Sequence, residues 1–320
     1  MVKTLLRVLI SVVFIALFAY AVRDDIPSIM HALQHVNRTL AAAASALFLS
    51  TILILSKRLQ LIFETEGVPI KLRETSNLTF VGYFFNNFLP TSVGGDIVKA
   101  ICASKVTRQP VKSLTAVLMD RIFGLSTFIV IPSICLFFIM DRINNPTVPI
   151  LVYSFLGLAL ICFLLLFNRS LARRFGFIET LLGYLRLADK ARKIYDGLHK
   201  FKSHKAVAVE AIFLSVLGQS ISIVVLFMLA LSLGSNAHVV YFFILIPVVH
   251  LVSMAPSLGG LGIRENAYIY FLSPYIGREN AAALGILWLG LLLMLSVIGA
   301  IIYLVRQDYH FSWKDAVVSS

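Results

Sequence analysis

Asp96, Lys99, Asp120, Arg121, Arg264 and Glu265 are ionisable residues set in long apolar surroundings, where charge is expensive to keep. Two of the three groups follow directly on glycines. Gly94 and Gly95 precede Asp96 in "NFLPTSVGGDIVKA" (87–100), and Gly259, Gly260 and Gly262 precede Arg264 in "APSLGGLGIREN" (255–266). A backbone broken inside hydrocarbon leaves amides and carbonyls unpaired at several kcal/mol each, so it survives only against protein or a wet cavity. A helix that starts just after such glycines points free N–H groups and its positive dipole end into that cavity, which suits an anion. Lys99, Arg121 and Arg264 would complete a phosphate site, arginine by paired hydrogen bonds and lysine as a point charge. The carboxylates of Asp96, Asp120 and Glu265 would keep the empty site near neutral or exchange protons during a cycle.

Structural roles compete for the same residues. Asp96 suits the N-cap of its helix. Asp120 and Arg121 equally describe an ion pair at the membrane interface, because they closely follow the basic Lys112. Asn86 and Asn87, just before Pro90, would bond freed backbone or face a substrate. His250 fits a satisfied core residue better than a proton relay.

The elements that must hold these groups are membrane spans. Hydrophobic residues make up 59% of the 320 and charged residues 14%, against a soluble norm of about half and about a quarter. Apolar runs long enough to cross about 30 Å of hydrocarbon occur at 8–22 (extended back to Leu5 past Arg7), 39–56, 122–140, 147–167, 211–233 and 281–305. The first ends in Ala19-Tyr20-Ala21, a small-residue pattern, yet its basic start and length favour an uncleaved anchor. Cys102, Cys135 and Cys162 show neither disulfide nor metal spacing, so no metal or cofactor is expected. The net charge of +12 points to the inner membrane surface rather than to nucleic acid, since basic residues concentrate in the loop 168–205. Leu171, Phe175, Ile178, Leu182 and Leu185 fall there at helical spacing, as in a helix lying on an anionic leaflet.

The positive-inside rule places both termini in the cytoplasm. Basic residues on both flanks of 76–98 make that segment a hairpin that begins and finishes on the inner side, and 239–275 forms a second one reached from outside. Both interruptions share Pro, a hydroxyl residue and Gly-Gly, and each lies between spans. The expectation is therefore an all-α polytopic membrane protein with about six full spans and two re-entrant hairpins in an inverted repeat. The 320 residues form one membrane domain, with repeat A at about 39–140 and repeat B at about 206–305. Span 147–167 and the basic loop link them. Two full-length helices kinked at Pro90 and Pro256 are the alternative.

The stretches "NNFLPTSVGGDIVKA", "AVLMDRIFG" and "MAPSLGGLGIRENAY", in that order, resemble the lysylphosphatidylglycerol synthase transmembrane-region family, also called flippase-like proteins, over nearly the whole chain. The resemblance implies an inner-membrane protein similar to the flippase portion of aminoacyl-phosphatidylglycerol synthases. It carries substrate contact onto Pro90, Gly94, Gly95, Asp96, Asp120, Arg121, Gly260, Gly262, Arg264 and Glu265. Lys99 departs from the arginine expected in the family.

The expected function is translocation of an anionic phospholipid or a polyprenyl-phosphate-linked sugar between leaflets, with Asn87, Lys99 and Gly259 added to the contact set. No nucleotide-binding motif occurs, so movement would be passive or proton-coupled. One alternative is an enzyme, for example a glycosyltransferase using Asp24 and Asp25, but the short external loops and the lack of a soluble catalytic domain argue against it. The other is an accessory subunit that holds a lipid-modifying enzyme through the 168–205 helix.

Overall fold

The computed structural model describes residues 25–89, 94–139, 205–255 and 259–309, with residues 20, 23 and 257 and a few positions between 147 and 157. Expected span 8–22, nearly all of span 147–167 and of loop 168–205, and Pro90 and Pro256 lie outside them. The described residues are helical, without strands. In chain order the helices are α1 (Ile26–Gln34), α2 (Arg38–Thr65), α3 (Leu72–Phe88), α4 (Gly94–Thr107), α5 (Pro110–Ile139), α6 (Lys205–Ser232), α7 (Val239–Val252), α8 (Ile263–Ile276) and α9 (Arg278–Val305). A 3-10 turn, Gln307–Tyr309, follows.

Four of these, α2, α5, α6 and α9, are long and apolar enough to cross a membrane. Their outward residues, among them Leu53, Phe137, Phe213, Val297 and Leu304, are exposed and apolar, the reverse of a water-facing surface. The protein is thus a helical multi-pass membrane protein. Two spans run further than hydropathy alone indicates. α2 continues past Ser56 to Thr65, and α5 begins at Pro110 rather than near 122. Arg58, Asp120 and Arg121 therefore sit inside helices, where backbone amides are already paired, instead of in flanking loops.

The chain breaks between α3 and α4 and again between α7 and α8. α3 and α4 pack antiparallel: a Cβ on Gly82 would meet the Lys99 side chain at 3.6 Å, and the Gly95 amide donates to the Asn86 side chain at 2.9 Å. α7 and α8 do the same, with the Tyr241 and Tyr275 rings 4.2 Å apart at one end and Gly260 against Ser253 at the other. Gly259, Gly260 and Gly262 carry φ of 55°, 81° and 79°, the left-handed region that makes glycine the natural choice for this turn. Where the two breaks meet, a Cβ on Gly259 would lie only 3.0–3.1 Å from the backbone of Asn86 and Asn87. Asn87 Nδ2 donates to Leu292 O and Ser296 Oγ, fixing the first break to α9.

α2 and α6 lie antiparallel, Gly218 against Leu55 midway and the Asn37 amide donating to Ser232 O at one end. α5 packs on α4 and α7, and α9 packs on α8 and α3. Buried apolar residues form two clusters. One centres on α6 to α9 and the first half of α2, the other on α3 to α5 and the second half of α2.

The 3-10 turn is clasped to the N-terminal end of α3. Arg306 pairs with Glu74 at 2.8 and 3.0 Å, and the Tyr309 hydroxyl donates to Glu74 Oε2 at 2.9 Å. Burial and the Glu74 carboxylate hold that hydroxyl's pKa well above its usual value, so it remains a donor. Tyr309→Phe is expected to lower stability by about 1 kcal/mol, read as the thermal unfolding midpoint in detergent. An unchanged midpoint would mean that the bond contributes nothing.

Candidate functional site

At the seam between the two apolar clusters lies a cavity of about 240 Å³. α2, α3, α4, α5 and α6 all contribute to its wall, and its charged lining residues are Arg58, Asp96, Lys99, Asp120 and Arg121. These form an alternating chain. Arg58 Nε donates to Asp120 Oδ1 at 2.7 Å, and Lys99 Nζ donates to Asp120 Oδ2 at 3.1 Å. Lys99 also lies 3.4 Å from Asp96 Oδ1, whose other oxygen is 3.2 Å from Arg121 Nη1. A second guanidinium nitrogen of Arg58 donates to Ser215 Oγ at 2.9 Å, tying the chain to α6.

Local sequence explains how so much charge stays buried. Gly124, one turn after Asp120 on α5, has no side chain, and the Arg58 guanidinium fills the space a Cβ would face at 3.5 Å. Gly82 gives Lys99 the same clearance on α3. Arg58, Lys99 and Asp120 are almost fully buried, so each depends on its partners for the solvation that water would otherwise supply. Arg121 is the most accessible member, with 27% of its side chain exposed. Gln219 also faces the cavity, and its buried Nε2 has no hydrogen-bond partner among the described residues.

The structure brings together Asp96, Lys99, Asp120 and Arg121, four of the residues singled out by sequence. Asp120 and Arg121 lie ten and eleven residues into α5, about 15 Å along it, well away from an interfacial position. Asp96 does not cap its helix: α4 starts two residues earlier, and the carboxylate turns to Lys99 and Arg121. Gly95 serves helix contact, since its amide is taken by Asn86. Gly94 opens α4 beside it, and Asn87 binds α9.

Arg264 and Glu265 stand apart from this cavity. Both are buried, and Arg264 Nη2 and Nε donate to Glu265 Oε1 at 2.7 and 3.1 Å. The other Glu265 oxygen accepts from the Gly262 amide at 2.7 Å. The pair therefore stabilises the second break from within, together with Gly260 O, which accepts from the Arg264 amide. The anion-ready amides at Gly95 and Gly262 are thus already occupied by side chains, and the cavity's cations are side-chain groups. His250 packs its ring against Phe128 and Trp288, but its buried Nδ1 has no hydrogen-bond partner among the described residues, so it is not the satisfied core residue expected.

Arg58 is the charged site residue that sequence reasoning missed. It follows Lys57 just past the apolar run 39–56, yet it is buried while Lys57 is exposed. Its signal was the helical continuation to Thr65, which puts residue 58 on the buried face with Leu59 and Ile62. Among the described residues no group of side chains could hold a metal ion.

Comparison with curated proteins and with solved structures gave no match. The model of the lysylphosphatidylglycerol synthase TM region family matches residues 4–300, nearly the whole length, and the chain therefore belongs to that family.

Proposed function

We propose that the protein is a lipid translocator that carries an anionic, phosphate-bearing headgroup between leaflets while the tails stay in the bilayer. The single observation behind this is the buried, cation-rich cavity beside a broken helix, in a family named for a lipid synthase's membrane region. A buried five-member charge chain is costly to keep for stability alone, because apolar residues of similar volume would do as well or better. The ligands are membrane phospholipids or polyprenyl-phosphate-linked sugars, and a lipid-modifying enzyme is a natural neighbour.

The packing supports two re-entrant hairpins in an inverted repeat. Exchanging α2, α3, α4 and α5 with α6, α7, α8 and α9 leaves the contacting pairs largely unchanged, and α2 lies antiparallel to α6. Lys71, Arg73, Lys105, Arg108 and Lys112 gather at the end where α2 finishes, which supports a cytoplasmic placement of that end and of the C-terminus in an inner membrane. The cavity would then open in the inner half of the bilayer.

The test is lipid flux in proteoliposomes carrying fluorescent anionic lipids. Wild type should exceed protein-free vesicles, and Arg121→Ala should lose roughly tenfold or more, the effect of removing a charged hydrogen-bonding partner. Exposed Lys57→Ala should behave as wild type. Equal flux in empty and protein-bearing vesicles would refute the proposal.

A further inference from the structure

The cavity's charge limits what it accepts. Its lining holds three cations, Arg58, Lys99 and Arg121, against two carboxylates, an excess of one positive charge. The carboxylates are not held alike. Asp120 receives hydrogen bonds from Arg58 and Lys99 at 2.7 and 3.1 Å. Asp96 sits 3.4 Å from Lys99 and 3.2 Å from Arg121, and its buried Oδ2 accepts no hydrogen bond among the described residues. Asp96 is also the carboxylate paired with the most exposed cation, on the helix that opens at the break. An incoming anion therefore meets Arg121 first and displaces Asp96 before it disturbs Asp120.

We propose that Asp96 is the charge selector of the site: its carboxylate holds, in the empty cavity, the place of an anionic ligand oxygen, and it restricts the headgroup to a single negative charge. This rests on the translocator proposed above. A phosphodiester supplies one charge and brings the cavity to neutrality. A phosphomonoester carries about −1.5 to −2 near neutral pH and forces surplus negative charge against Asp96, where low dielectric makes repulsion severe. The volume agrees with a small head: 240 Å³ falls below the roughly 300–1,000 Å³ of pockets that enclose drug-sized ligands. It holds a phosphate and a small polar group, for which the unpartnered Gln219 Nε2 offers a donor.

The test measures flux of two tail-labelled lipids, phosphatidylglycerol as the diester and phosphatidic acid as the monoester, in separate proteoliposomes at pH 8, each corrected for protein-free vesicles. Wild type, Asp96→Asn and Asp96→Glu are compared by their diester-to-monoester ratio, which does not depend on how much variant inserts. Wild type and Asp96→Glu should favour the diester, and Asp96→Asn should shift the ratio toward the monoester by about tenfold, as removal of a close buried charge implies. If Asp96→Asn keeps the wild-type ratio, the selector is wrong and the translocator stands. If Asp96→Asn moves neither lipid, Asp96 is required rather than restrictive, and the selector is again wrong. If wild type moves neither lipid, the translocator fails for phospholipids and the selector falls with it.

Discussion

Asp120→Ala is expected to destabilise the protein by about 3–5 kcal/mol, the range for removing one partner of a buried ion pair. The loss is large because this carboxylate neutralises two cations at once, Arg58 through one oxygen and Lys99 through the other. Without it, two buried positive charges face each other with only Asp96 nearby. Thermal unfolding in detergent would read the effect. Asp120→Asn keeps the shape but not the charge, so it should fall between wild type and alanine. The double replacement Arg58→Met with Asp120→Leu should recover much of the stability while abolishing lipid flux, since apolar residues replace a buried pair at little cost. An Asp120→Ala protein as stable as wild type would mean that the charges are not buried as described.

Gly95→Ala should cost at or above the upper end of the about 1–3 kcal/mol typical of overpacking. An added Cβ would collide with the Gly82 carbonyl and lie 2.6 Å from Asn86 Cγ and 2.7 Å from its Oδ1. The first obstacle is backbone, which cannot rotate aside, so α3 and α4 must separate and the Asn86 bond to the Gly95 amide is lost. Gly299→Ala meets the Phe80 carbonyl in the same way, where α9 crosses α3. Gly290 on α9 has nothing within 4 Å of its Cβ position, so Gly290→Ala should be neutral or gain up to about 1 kcal/mol from helix propensity. If Gly95→Ala and Gly290→Ala unfolded alike, the close crossing of α3 and α4 would be wrong.

Much of this architecture is legible in the sequence because broken helices need conspicuous residues. Pro and Gly-Gly runs marked both interruptions, and the cost of charge in hydrocarbon marked Asp96, Lys99, Asp120 and Arg121. Arg58 escaped because hydropathy ends a span where the first charges appear, although a helix can continue through them when a partner on another element neutralises the charge. That partner, Asp120, is 62 residues away, and no local pattern links the two. Ser215 and Gln219 escaped for a related reason: single polar residues in an apolar helix look alike until packing shows which ones face a cavity. Arg264 and Glu265 drew attention by their cost, yet the pair is self-contained. Spacing alone does not distinguish a carboxylate that folds back onto the Gly262 amide from one that faces a ligand.

Translocation by this cavity requires a lipid phosphate lying among Arg58, Lys99 and Arg121. The most direct measurement is solid-state nitrogen-to-phosphorus dephasing, on protein labelled at arginine and lysine side-chain nitrogens and reconstituted with an anionic phosphodiester lipid. Side-chain nitrogen signals dephased by phosphorus are expected that disappear in Arg121→Gln and in Lys99→Gln but persist in Lys57→Gln. Spectra in which all three variants match wild type would contradict that placement of the phosphate.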